Sequence, residues 1–102
     1  MEKYNIFFSD EARKDLVTLA NYIKYSLNES KIAKKKVMKI KQAIYKLQDN
    51  PKIYPIIQED ILERYNLRKF MIDKHIVFYT IIDKTIYIVR ILYGRRNWLK
   101  LI

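Results

Sequence analysis

The sequence predicts an α+β fold: an N-terminal strand, an antiparallel helical hairpin, then a three-stranded antiparallel sheet, in the order β-α-α-β-β-β. Three observations predict it. Two apolar stripes recur at helical spacing between residues 12 and 47. A loop carrying both prolines follows Asn50, and three β-prone runs fill Tyr65 to Tyr93. The middle run, His75–Ile82, is apolar on both faces. Such a strand belongs inside a sheet that helices cover on at least one side.

The elements can be justified in order. Lys3–Phe8 is a short β-prone run that ends in Ser9-Asp10-Glu11, a capping hydroxyl followed by two acids. That pattern opens a helix. Ala12, Leu16, Leu19, Ala20, Ile23 and Leu27 make its buried stripe. Asn28-Glu29-Ser30 interrupts it, and Ser30 is placed to cap a second helix. There Ala33, Val37, Ile40, Ile44 and Leu47 face inward, and Asn50-Pro51 is the stop. So short a link makes the two helices pack antiparallel. Residues 51–63 read as a surface loop, with room for a helical turn at Gln58–Glu63. Strands are expected at Tyr65–Ile72, His75–Ile82 and Thr85–Tyr93, the last two joined by a tight Asp83-Lys84 turn. The segment Arg95–Ile102 suits a short helix packing Trp98 and Leu101 inward.

The 102 residues amount to a single domain, residues 1–102. Half are apolar and 14% aromatic, enough for one modest core. There is no cysteine, which excludes disulfides and thiolate metal sites. The sequence opens on no leader-like segment and holds no apolar run near the ~20 residues of a membrane span, so a cytoplasmic protein is expected, without membrane contact. Net charge is +10 and the pI about 9.8. Lys31 to Lys46 holds seven lysines and no acid, and five basic residues with no acid follow Asp83. That field attracts nucleic acid, a ribosome surface or an acidic protein. A solvated lysine face accounts for the first stretch equally well.

Several segments together resemble toxins of the RelE/ParE superfamily, from bacterial type II toxin–antitoxin (plasmid stabilisation) systems. The opening strand with Ser9-Asp10-Glu11-Ala12, then Asp15-Leu16 and Tyr22-Ile23, is similar to the family's first helix. Leu47-Gln48-Asp49-Asn50-Pro51 resembles its helix end. Leu67-Arg68-Lys69-Phe70 and Val77-Phe78-Tyr79-Thr80-Ile81 resemble two of its strands. The most specific piece is Ile88-Val89-Arg90-Ile91-Leu92-Tyr93-Gly94-Arg95-Arg96-Asn97-Trp98, similar to the family's C-terminal signature. The resemblance implies a growth-inhibiting toxin that a cognate antitoxin binds and masks. It leaves the target open, either DNA gyrase (ParE-like, non-enzymatic) or ribosome-bound mRNA (RelE-like endoribonuclease). The twelve uncompensated basic residues suggest that the antitoxin brings an acidic amphipathic helix, laid across the sheet or the hairpin.

RNA cleavage by its own 2′-hydroxyl needs a base, charge stabilisation at the phosphate and help for the leaving oxygen. His75, Tyr93, Arg68 and Arg96 are the catalytic candidates, and Arg68, Arg90, Arg95 and Arg96 the target-binding ones, because arginine's planar fork grips phosphate. A two-residue Asp83-Lys84 turn sets His75 opposite Leu92; a three-residue loop sets it opposite Tyr93. Arg68, on the preceding strand, is expected to approach the same end of the sheet. The structural alternatives are an edge histidine, a packed strand-end tyrosine, and an Arg90 whose stem is buried and whose head is tied to an acid such as Asp73. Ribosome-dependent RNases of the superfamily carry a C-terminal tyrosine, where this chain has Leu99-Lys100-Leu101-Ile102. The long hairpin and Gly94-Arg95-Arg96-Asn97-Trp98 lean toward the ParE-like branch. No metal-spaced His/Cys cluster or phosphate-binding glycine loop is present, so no cofactor is expected. The rival functions are a non-toxic basic nucleic-acid-binding module and an inactive antitoxin-binding scaffold.

Overall fold

A computed structural model describes residues 3–26, 30–58 and 64–94. β1 (Asn5–Phe8) leads into α1 (Asp10–Asn21), whose end widens into a π-helical turn at Tyr22–Ser26. α2 (Ser30–Tyr45) follows and tightens into a 3₁₀ turn at Lys46–Gln48. After the proline-bearing loop come β2 (Arg68–Ile72), β3 (His75–Ile82) and β4 (Thr85–Tyr93). The predicted α+β order of strand, helical hairpin and three strands is therefore present. The helical-turn expectation at 58–63 falls, apart from Gln58, outside the described residues, as does the whole of Arg95–Ile102.

Two expectations are corrected. The sheet is mixed, with the order β1-β4-β3-β2: β1 pairs parallel with β4, while β4, β3 and β2 are antiparallel. A parallel pair needs a long connection, which the hairpin, β2 and β3 together supply. The first C-terminal strand begins at Arg68 rather than Tyr65, because Asn66 is left-handed at φ 53° and turns the chain. The carbonyls of Tyr65 and Asn66 instead accept from Thr80 Oγ1.

Both helices lie on one face of the sheet. Ala12 and Leu16 of α1 and Ile40 and Ile44 of α2 bury against Phe70, Val77, Tyr79, Ile86, Ile88 and Ile91. The opposite face has its own smaller core of Ile57, Leu67, Ile76, Phe78 and Leu92. Strand residues alternate between the two, which explains why β3 is apolar at both parities. Tyr79 is fully buried and donates its hydroxyl to Pro51 O at 2.7 Å, so the loop after α2 is tied to the sheet centre. Burial pushes its phenol up to about 12.

One irregularity positions the rest. Ile82 pairs with Thr85 across the two-residue turn, as does Tyr79 with Ile88, yet Phe78 pairs with Arg90. Val89 is thus an extra residue, a β-bulge, and it flips side-chain parity along β4. Before the bulge Ile86 and Ile88 face the helices; beyond it Ile91 does, and Leu92 joins the opposite core.

Ser9 braces the bulge. Its backbone N–H donates to Ile88 O at 3.0 Å and its hydroxyl to Val89 O at 2.7 Å, while Oγ accepts from Ala12 N at 3.0 Å. One side chain caps α1 and satisfies the strand edge that four-residue β1 leaves uncovered. Ser9→Ala is expected to cost about 1–2 kcal/mol in urea denaturation, a cap and a carbonyl partner being lost together. An unchanged midpoint would assign the bulge to other forces.

Candidate functional site

The bulge settles what lies opposite His75. Although the Asp83-Lys84 turn has two residues, His75 pairs with Tyr93, not Leu92, because Val89 absorbs one position. The same shift brings Tyr93 to the helix-facing side with Ile91. The His75 and Tyr93 rings meet edge to face, 5.7 Å between centroids. Beside them Gly94 N–H donates to Lys74 O at 2.8 Å, and a Cβ at residue 94 would lie 3.2 Å from that oxygen. The close approach of two backbones accounts for the chain's one glycine.

These residues stand at the mouth of a cleft of about 860 Å³ between the helical hairpin and the end of the sheet. Leu19, Ile23, Ile32, Ile40 and Ile91 form its apolar walls, and Lys36, Asp73, Lys74 and His75 its polar rim. Asp73 accepts from Lys39 Nζ at 2.8 Å and Lys36 Nζ at 3.3 Å, bridging α2 to the β2–β3 turn. The Lys39 hydrogen bond leads in holding its carboxyl below the usual range. At φ 55°, Asp73 takes the left-handed position of that turn. Partial burial lowers the His75 pKa, with Asp73 opposing the shift and Lys36 adding to it. His75 is therefore neutral at pH 7, able to donate from one ring nitrogen and accept at the other.

Two of the candidate arginines go elsewhere. Arg90 is tied to Asp15 of α1, not to Asp73: its Nε and Nη2 donate to the two carboxylate oxygens, each at 2.9 Å. Asp73 is occupied by its two lysines. Asp15 also accepts from Ile91 N at 2.9 Å, so one carboxylate serves a guanidinium and a strand-edge amide. The side chains are only 19% and 12% exposed, a screened fork-to-fork pair. The Asp15 hydrogen bond raises the Arg90 pKa. Arg68 pairs with Tyr79 while Ile72 pairs with His75, which places it about 13 Å along the strand from the histidine at ~3.3 Å per residue. Its Nη1 donates to Tyr54 O. The expected convergence of Arg68 on the His75 end is thus not what the register gives. Arg95 and Arg96 lie outside the described residues. Sequence reasoning gave Asp15, Lys36 and Lys39 no role at the site, meeting Asp15 only within the family resemblance and the lysines only within the basic stretch; Asp15 carried a faint signal, a carboxylate beside the buried stripe of α1.

Among the described residues no group of acids, histidines or cysteines is arranged to hold a metal ion, and no helix is long and apolar enough to cross a membrane.

A four-stranded sheet backed by one helical hairpin is an architecture this chain shares with solved structures of bacterial toxin–antitoxin systems. The chain superimposes on the chromosomal ParDE toxin–antitoxin system of Pseudomonas aeruginosa with a TM-score of 0.74 at 17% identity, covering 89% of this chain and 96% of that one. The toxin–antitoxin complex RelBE2 of Mycobacterium tuberculosis gives 0.61 at 18% identity, covering 89% and 98%. No curated protein matches. The model of the ParE toxin of type II toxin–antitoxin systems matches residues 6–98. The chain belongs to the ParE toxin family: it is the toxin component of a type II toxin–antitoxin system, and an antitoxin is its partner.

Asp15→Ala is expected to cost about 3 kcal/mol in chemical denaturation, because it strands the Arg90 charge and the Ile91 amide together. A loss below about 0.5 kcal/mol would show the pair to be solvated and weak. His75 is expected to titrate below 6.5 by NMR of its ring protons, and lower still in Asp73→Asn, which removes the opposing charge. Because its folded pKa is depressed, its stability contribution is complete above 6.5 and is lost as pH falls through the lowered value. A midpoint at or above 6.5 would contradict the burial.

Proposed function

We propose that the free protein arrests growth in the ParE manner, through DNA gyrase and without catalysis, and that its antitoxin carries an acidic amphipathic helix. The observation that carries this reading is the commitment of Arg68 and Arg90. Arg90 is chelated by Asp15, and Arg68 lies well down the sheet with its guanidinium turned to Tyr54 O. An RNA-cleaving site needs such forks at the phosphate, next to its base. Here the cleft that His75 and Tyr93 line is walled by apolar side chains with Asp15, Thr18, Tyr22, Asp73 and two lysines, and neither Arg68 nor Arg90 is among its lining residues. The family match supports the same branch.

In this reading His75 and Tyr93 form a recognition surface rather than an acid–base pair. Arg95 and Arg96, next in sequence after Gly94, are proposed to contact the target. The cytoplasm, where gyrase works, is the proposed compartment.

The test is induction in cells lacking the antitoxin, following precursor incorporation into DNA and into protein over the first minutes. Early loss of DNA synthesis with filamenting cells is expected, together with full toxicity of His75→Gln. Early loss of protein synthesis, abolished by His75→Gln, would make the protein a ribosome-directed RNase and overturn the proposal.

A further inference from the structure

The face of the sheet turned away from the helices is covered unevenly. Ile57 packs with Leu67, Ile76, Phe78 and Leu92 toward one end of that face, and its N–H donates to Leu67 O at 2.8 Å, which holds the loop there. Beyond Phe78 the next row is Thr80 on β3, Tyr87 on β4 and Phe7 on β1, paired across the three strands. Their chain neighbours Tyr79, Ile86, Ile88, Ile6 and Phe8 belong to the helix-side core, so strand alternation turns the row outward. Phe7 is 50% exposed, while Tyr87 and Thr80 are half-buried. Tyr65, 62% exposed, lies next in line, where its carbonyl accepts from Thr80 Oγ1 at 3.1 Å.

Two rings on adjacent strands of an open face form a cross-strand pair, which by itself contributes under about 1 kcal/mol. Pairing accounts for the contact of Phe7 with Tyr87, 5.6 Å between centroids and tilted by 60°, but not for the charges beside it. The Arg13 guanidinium stands over Phe7, 5.8 Å from the ring centroid. Arg64 directly precedes Tyr65 at the far end of the row. Both arginines are exposed, and among the described residues neither forms an ion pair. A row of rings with an arginine at each end, on a chain of net charge +10, fits a ligand that offers flat faces along an anionic backbone.

We infer that this face binds single-stranded nucleic acid, with bases stacked on Phe7 and Tyr87 and phosphates meeting Arg13 and Arg64. Neighbouring strands lie ~4.8 Å apart, so the row from Phe7 through Tyr87 to Thr80 spans roughly 10 Å and takes about two or three bases. A duplex does not suit it, because paired bases are stacked on one another and hide their faces. Every base has a π-face, so the row holds a strand without reading its sequence. Thr80 lies roughly 16 Å along β3 from His75 at ~3.3 Å per residue, and on the other face of the sheet from the cleft. Binding there uses neither His75 nor Tyr93 and is independent of the gyrase reading.

The experiment follows the fluorescence anisotropy of labelled oligouridylate and of its deoxy counterpart as the full-length protein is added, at rising salt, with a mixed-sequence duplex alongside. The wild type is expected to bind both single strands more tightly than the duplex, and to weaken as salt rises. Phe7→Thr with Tyr87→Thr, which keeps β-prone residues in both strands, is expected to weaken binding by at least about tenfold. Arg13→Ala should lower the slope of log affinity against log salt by about one. Tyr45→Ala, 48% exposed on α2, is the control that should bind as the wild type does. Should the double variant misfold by circular dichroism, Tyr87→Thr alone and Arg13→Ala carry the test. A preference between the two strands assigns the site to RNA or to DNA through the 2′-hydroxyl, and equal affinity assigns it to both. Failure of the wild type to bind either strand at low salt overturns the inference, as does binding that the ring variants leave unchanged. If those variants hold the strands but lose the antitoxin in calorimetry, the face is a protein interface and the inference is overturned.

Discussion

The carboxylate of Asp15 accepts two hydrogen bonds from the Arg90 guanidinium and one from the Ile91 amide, and the rest of the structure depends on that contact between α1 and β4. β1 has four residues and β4 has nine, so beyond Ile88 the parallel pairing stops. The exposed edge of β4 would leave amides and carbonyls unpaired beneath the helical layer, at a cost of roughly 1–3 kcal/mol each if buried. Ser9 and Asp15 answer them from the first two turns of α1. A short strand thus becomes tolerable because the helix following it finishes its work. The pairing also fixes the slope of α1 on the sheet, and α2 packs against the position so defined.

The bulge at Val89 belongs to the same device. Without it, β4 would continue its alternation and send Tyr93 to the far face, away from His75. With it, the strand keeps an unbroken helix-facing core through Ile86, Ile88 and Ile91 and delivers Tyr93 to the cleft. One unpaired residue therefore decides which side chains meet at the end of the sheet. The extra backbone groups at the bulge are the ones Ser9 reaches, so the irregularity and its brace are parts of one arrangement.

Charge is distributed unevenly over the two sides of the hairpin. Toward the sheet end, acids are matched to cations: Asp15 to Arg90 under cover, Asp73 to two lysines in the open. The exposed Lys–Asp contacts contribute little to stability in solvent, but they span the cleft mouth, where burial lowers the His75 pKa against the opposing charge of Asp73. Along the outer seam of α1 and α2, Arg13 and Lys41 make no ion pair among the described residues and lie beside uncovered apolar groups.

Much of the fold was legible because it is written in periodicity. The stripe from Ala12 to Ile23, the Ser9 cap, the lysine-faced second helix and the bounds of His75–Ile82 and Thr85–Tyr93 are local patterns, each expressing the geometry of its own element. The parallel pairing of β1 was not legible, because strand order is a long-range choice among edges that offer similar hydrogen bonds. The start of β2 was misplaced because one left-handed Asn66 outweighs the β-propensity of Tyr65. At the site, the meeting of His75 with Tyr93 was open between two registers, and the approach of Arg68 and the Asp73 partner for Arg90 were misjudged. By itself, then, the sequence determined the elements, their order, the charge and the family, since these follow from residue spacing and composition. Tertiary structure alone decided the bulge, and with it the facing of Tyr93 and the capture of Arg90 by Asp15, because a strand's register answers to the partners packed along its edge and not to its own residues.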